Sequence, residues 1–255
     1  TVSSRSPRLW TTPGPWRARS PTALMPPPAP LGPLPIVPRA GPRPLEGTRI
    51  ALTDRASATM PQDDVAAGLE LARQACEALG ARTLQLKAPD TASMGDFSTV
   101  LFAEVAAHHA RYAARADRYR TSIREFVELA TGFADAAAYI EAQAARAHAT
   151  AVWEAWFEDN RVDALLEPTV PLTARPRGDG YDSGRLGGEA DPLIALTFTW
   201  NMTGFPVAAL PTGLGSRSGM PVGVSLIAPR GREAELLELA IDLQEHALTP
   251  PPTPC

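Results

Sequence analysis

Residues 199–229, TWNMTGFPVAALPTGLGSRSGMPVGVSLIAP, hold two short apolar runs bounded at every end by glycine or proline. Runs of this length between such breakers read as strands. Gly204 and Pro206 turn the chain sharply into PVAALP, and Gly213 to Gly219 return it as PVGVSLIA, a hairpin placed in a buried sheet. Asn201 and Thr203 then stand at the mouth of the first strand. Local hydrogen bonding of an irregular turn would also account for them there.

The rest of the chain alternates strands and helices. TRIALTD is a short strand, and Asp63 or Asp64 is expected to cap a helix whose apolar positions Val65, Leu69, Ala72, Cys76 and Leu79 keep helical spacing until Gly80. ARTLQL follows as a second strand, so the opening is a βαβ unit with a parallel strand pair. A helical block spans about 96–158, broken near Arg120 and Gly132. One stripe carries Phe97, Leu101, Val105, His108 and Tyr112, another Ala138, Ala142, Ala145, Ala149, Val152 and Trp156. VDALLE is a further strand, Thr173 to Asp191 a glycine-rich surface loop, and Glu233 to His246 a closing amphipathic helix.

Residues 1–44 differ from 45–255. The first 45 residues hold six arginines and no acid, so within a net charge of −4 the remainder carries −10. With 13 of the 27 prolines there, the segment reads as a Pro/Arg-rich irregular leader.

Several functions are disfavoured. The overall charge gives no electrostatic footprint for nucleic acid. No apolar stretch is long enough for a membrane helix. The two cysteines, Cys76 and Cys255, form neither a disulfide framework nor a metal set, which fits a reducing cytoplasm. His108 and His109 diverge on a helix and cannot both ligate one ion, so no metal site is expected. GSRSG at 215–219 has arginine where a nucleophile elbow needs serine. The glycines there lack the spacing and the following helix of a nucleotide loop, and no cofactor is implied. Trp153, Trp156 and Phe157 read as core, Lys87 as a surface lysine.

The ordered signals Asp163, Pro168, Thr169 and Pro171, then Asn201, Thr203, Gly204 and Pro206, then Pro211, Gly213, Pro221, Val222 and Gly223 resemble the C-terminal half of amidase signature enzymes. Ser225 and Ala228 are mild departures from that pattern. The resemblance implies an α/β fold: part of a single α/β/α domain with a mixed sheet, the N-terminal catalytic half missing. It implies hydrolysis of a small carboxamide through an acyl-serine, activated by a second serine and a lysine. It places substrate-pocket candidates at Thr199, Asn201, Thr203 and Gly204.

The GGSSGG-like stretch that carries the family's nucleophile does not occur in this sequence, and Lys87 is the only lysine. No catalytic residue is therefore assigned, and this chain alone is expected to be inactive. Codons allowed for Arg8 to Met25, read from their third bases, can spell a Ser-Leu-Asp-x-x-Gly-Pro-Met-Ala-Arg segment like that of the family. Residues up to about 38 are accordingly expected to be an out-of-frame translation, with the frame restored before Leu45. The alternative is a noncatalytic binding module derived from an amidase. The expected partner is a small-molecule amide, with no nucleic acid and no membrane, and the oligomeric state is left open.

Overall fold

The computed structural model describes residues 44–91, 93–133, 135–175, 192–246 and 248. Residues 1–43 of the leader, most of the glycine-rich loop and Cys255 lie outside these residues. Strand β1 (Arg49–Thr53) leads into a short helix α1 (Asp54–Ala58), then α2 (Asp63–Ala78) and β2 (Arg82–Leu86). The helical block resolves into α3 (Met94–Ala110), a 3-10 turn at Ala113–Arg118, α4 (Thr121–Phe133) and α5 (Ala136–Asn160). Then come β3 (Ala164–Pro168), α6 (Phe198–Thr203), β4 (Val207–Leu214), β5 (Pro221–Ile227) and α7 (Glu233–His246).

The five strands form one mixed sheet in the order β2-β1-β3-β5-β4. β1 runs parallel to both β2 and β3, as the βαβ reading requires, and β5 is antiparallel to β3 and β4. Strand alternation sorts the side chains onto two faces. On one, Ile50, Leu52, Leu166, Val224 and Leu226 pack against α2 and α7 through Ala72, Cys76, Leu239 and Leu243. On the other, Ala51, Leu165 and Ile227 meet an aromatic layer of Trp153, Trp156, Phe157, Trp200 and Phe205. Helices thus cover both faces, the α/β/α arrangement with a mixed sheet.

The prolines fall where a sheet tolerates them. Pro211 lies on β4, an outer strand among the described residues, Pro221 opens β5 and Pro168 closes β3. A register shift between Pro211 and Gly213 marks an irregularity in the hairpin ladder.

Two sequence expectations are corrected. The N-cap of α2 is Gln62, which makes no side-chain cap bond. Asp64 turns away from its own helix end: its carboxylate accepts from the backbone N–H groups of Arg217 (3.1 Å) and Ser218 (2.8 Å) in the β4–β5 turn. A turn offering several aligned N–H groups competes successfully for a carboxylate already inside the helix. The stripe on α3 is half-buried with Tyr112 exposed. On α5 the fully buried positions are Ala142, Ala149, Trp153, Trp156 and Phe157, and Ala138, Ala145 and Val152 are only half-buried. α5 meets both the sheet and α3, which pulls its buried stripe toward the bulkier aromatics.

Candidate functional site

Thr199, Asn201 and Thr203 belong to α6, a helix of under two turns, where the sequence suggested an irregular strand mouth. Gly204 is its C-cap, at φ 76°, a left-handed conformation glycine adopts without strain. A helix this short is held by tertiary contacts more than by propensity. Trp200 supplies them, with ring centroids 4.8 Å from Trp153 and 5.9 Å from Phe205, while Phe198 meets Phe97 of α3 at 5.8 Å.

The four candidates therefore have different surroundings. Thr199 is buried and its Oγ1 accepts from Arg55 Nη1 at 3.0 Å. Thr203 is buried and donates to the Thr199 carbonyl at 2.7 Å. Asn201 is exposed, donates from Nδ2 to the Thr197 carbonyl at 3.1 Å, and lines a cavity of about 280 Å³. Gly204, Thr199 and Thr203 support α6 from behind without lining that cavity.

The cavity lies between α6 and the sheet. Its floor is a cross-strand row, since Glu167 of β3 and Ala209 of β4 both pair with Ser225 of β5. Leu196, Trp200, Phe205 and Val207 give apolar walls, two of them aromatic rings. Thr169 Oγ1 and Ser225 Oγ are 3.0 Å apart and hydrogen-bonded.

Glu167 is 1% exposed. Its Oε1 accepts the Trp200 indole N–H at 2.6 Å, and Arg55 Nε stands 3.6 Å from Oε2. Burial pushes the Glu167 carboxyl above its ordinary range, while Arg55 and the indole N–H act in the opposite direction. Glu167, Arg55 and Trp200 were not among the sequence candidates. A glutamate closing an otherwise apolar strand run, ALLEP, was the available signal, because acidic side chains are rarely fully buried without a partner.

Lys87 is exposed beyond β2, as expected, and its carbonyl accepts the Trp156 indole N–H at 2.9 Å. No group of His, Cys, Asp and Glu suited to a metal ion occurs among the described residues. No helix among them is long and apolar enough to cross a membrane.

Residues 27–237 match the amidase family, and the chain belongs to it. Among curated proteins it is similar to the A-subunit of glutamyl-tRNA(Gln) amidotransferase from Synechococcus sp. (strain RCC307), 27% identical over 235 residues, covering 80% of this chain and 46% of that protein. It is also similar to indoleacetamide hydrolase of Bradyrhizobium japonicum, 28% identical over 221 residues, 82% of this chain and 45% of that one. Among solved structures, substrate-complexed 6-aminohexanoate cyclic dimer hydrolase superposes with a TM-score of 0.67 at 23% identity, covering 82% of this chain and 46% of that chain. A bacterial aryl acylamidase of the amidase signature family gives a TM-score of 0.62 at 22% identity, with 80% and 44% covered. These structural likenesses show the fold. The chain spans about half the length of the curated relatives it matches.

Proposed function

We propose that this chain is the C-terminal part of an amidase domain whose intact form hydrolyses the C–N bond of a small carboxamide. The nucleophile, its partner serine and the lysine belong to a half of the domain outside residues 45–255, and this chain supplies one wall of the substrate pocket. The observation that carries the reading is that Asn201 and the Glu167, Ser225 and Ala209 row line one cavity whose apolar walls include the Trp200 and Phe205 rings, in a chain of the amidase family. Such a cavity suits a planar carboxamide and leaves the bond-breaking step to groups elsewhere. Ser225 does not resemble an activated nucleophile: its hydrogen-bond partner is a threonine hydroxyl and not a base.

In this reading Thr199, Thr203 and Gly204 hold α6 in place and Asn201 faces the substrate. Residues up to about 38 of the leader are an out-of-frame translation, the enzyme acts in the cytoplasm, and it needs no metal or cofactor. Sequencing the gene upstream and across the codons for Arg8 to Arg49 tests it. A frame running into a GGSSGG-like stretch and a lysine is expected. An intact frame with a start codon at the leader would favour a noncatalytic binding module instead.

A further inference from the structure

Most of the polar side chains that line the cavity beside α6 are already committed. The Trp200 indole N–H goes to Glu167 Oε1 at 2.6 Å, and Glu167 Oε2 is enclosed by the protein. Thr197 Oγ1 donates to the Ile194 carbonyl at 3.4 Å. Asn201 donates from Nδ2 to the Thr197 carbonyl and is exposed, so water competes for its remaining groups. Thr169 and Ser225 differ from these. They lie diagonally across neighbouring strands on one face of the sheet, since Ser225 pairs with Glu167, two residues before Thr169. Ser225 is buried and Thr169 half-buried, and among the described residues their hydroxyls bond to each other alone, at 3.0 Å.

Two hydroxyls carry two protons, and the bond between them uses one. Whichever of the two donates, the other keeps an O–H of its own, and both residues line the cavity. A buried O–H without an acceptor is costly, and a ligand oxygen that takes it removes that cost. The donor is also held in place. Ser225 is paired to strands on both sides, and the Thr169 N–H donates to the Gly223 carbonyl at 3.2 Å. Around it Trp200, Phe205 and Val207 offer apolar surface to the body of a ligand.

We propose that the Thr169 and Ser225 hydroxyls are the specificity-determining anchor of this cavity, donating a hydrogen bond to the carbonyl oxygen of a carboxamide whose body lies against Trp200 and Phe205. The proposal rests on the pocket assignment made above, and its test separates the two. Benzamide and α-methylstyrene have similar outlines and are both uncharged, but only benzamide has an acceptor oxygen. Their affinities for the purified full chain are measured by ligand-observed NMR titration in wild type, T169V, S225A, the double variant T169V/S225A, and A209F.

Loss of both hydroxyls is expected to shift the benzamide-to-α-methylstyrene affinity ratio toward α-methylstyrene by about tenfold, the effect of one lost hydrogen bond to a buried acceptor. α-Methylstyrene itself should bind the double variant at least as tightly as wild type, because the floor becomes more apolar. A merely structural role for the pair would weaken both probes together and leave the ratio unmoved. Should the double variant not fold, T169V and S225A carry the same test, with a shifted ratio expected in at least one. A ratio unchanged in every folded variant would overturn the anchor and leave the pocket assignment standing. Failure of wild type to bind benzamide, or undiminished binding in A209F, which adds a phenyl ring to the cavity floor, would overturn both.

Discussion

Asp64 on α2 and Ser218 in the β4–β5 turn are 154 residues apart in sequence and joined at 2.8 Å, the Ser218 N–H donating to Asp64 Oδ2. The neighbouring Arg217 N–H donates to Oδ1 at 3.1 Å, and the Arg217 guanidinium pairs with Asp63. The first long helix of the described chain thus fastens the hairpin near its end.

Hydrogen bonding from Ser218 first, then from Arg217, holds the Asp64 carboxyl below its ordinary value. The folded state therefore favours the anion. This contribution is complete above about 3.9, the unfolded carboxyl value, and is lost as pH falls through the lowered folded value. Asp64→Asn should lower Tm at neutral pH, and the gap from wild type should close on acidification below about 3.9. A pH series of thermal melts checks this, and a gap independent of pH would refute it.

Gly68 lies where α2 crosses the same hairpin. A Cβ there would sit 2.6 Å from Val222 Cγ1 and 2.7 Å from Thr212 Oγ1, both buried side chains. Gly68→Ala should cost about 1–3 kcal/mol by overpacking, despite alanine's better helix propensity. Urea unfolding measures it, and a stabilised variant would show that α2 can lift from the hairpin freely.

Trp153 is 0% exposed at the centre of the aromatic layer, and its indole N–H has no hydrogen-bond partner among the described residues. Packing, and not a polar bond, should set its contribution. Trp153→Ala should cost about 3–5 kcal/mol, whereas Trp153→Phe, which keeps one six-membered ring and leaves a smaller cavity, should cost clearly less. Equal losses in denaturant melts would point to a role for the indole nitrogen.

Cys76 is buried on the inner face of α2, and burial pushes its thiol up to about 12. Iodoacetamide at pH near 8 should leave the Cys76 peptide unmodified in the native chain and label it in urea, as mass spectrometry would show. Rapid native labelling would mean that α2 opens readily.

The sheet was legible because breakers and alternation are local signals. The hairpin of Val207 to Ile227 and the helix Glu233–His246 stand where glycine, proline and apolar spacing put them. The short helices at 54–58 and 198–203 left no periodicity to read, since so few residues cannot complete a stripe and tertiary contacts hold them. Asp64 looked like a helix cap because its true acceptor role depends on a turn more than 150 residues away. Glu167 was hidden for the same reason: its partners Arg55 and Trp200 come from two other segments, and only folding brings them together.

The central claim is that this chain carries a carboxamide-binding wall without the bond-breaking groups. Calorimetry with benzamide and an ammonia-release assay on the same purified sample test it together. Saturable binding with ammonia release no faster than in buffer is the expected result, whereas turnover by the chain alone, or no binding, would contradict the account.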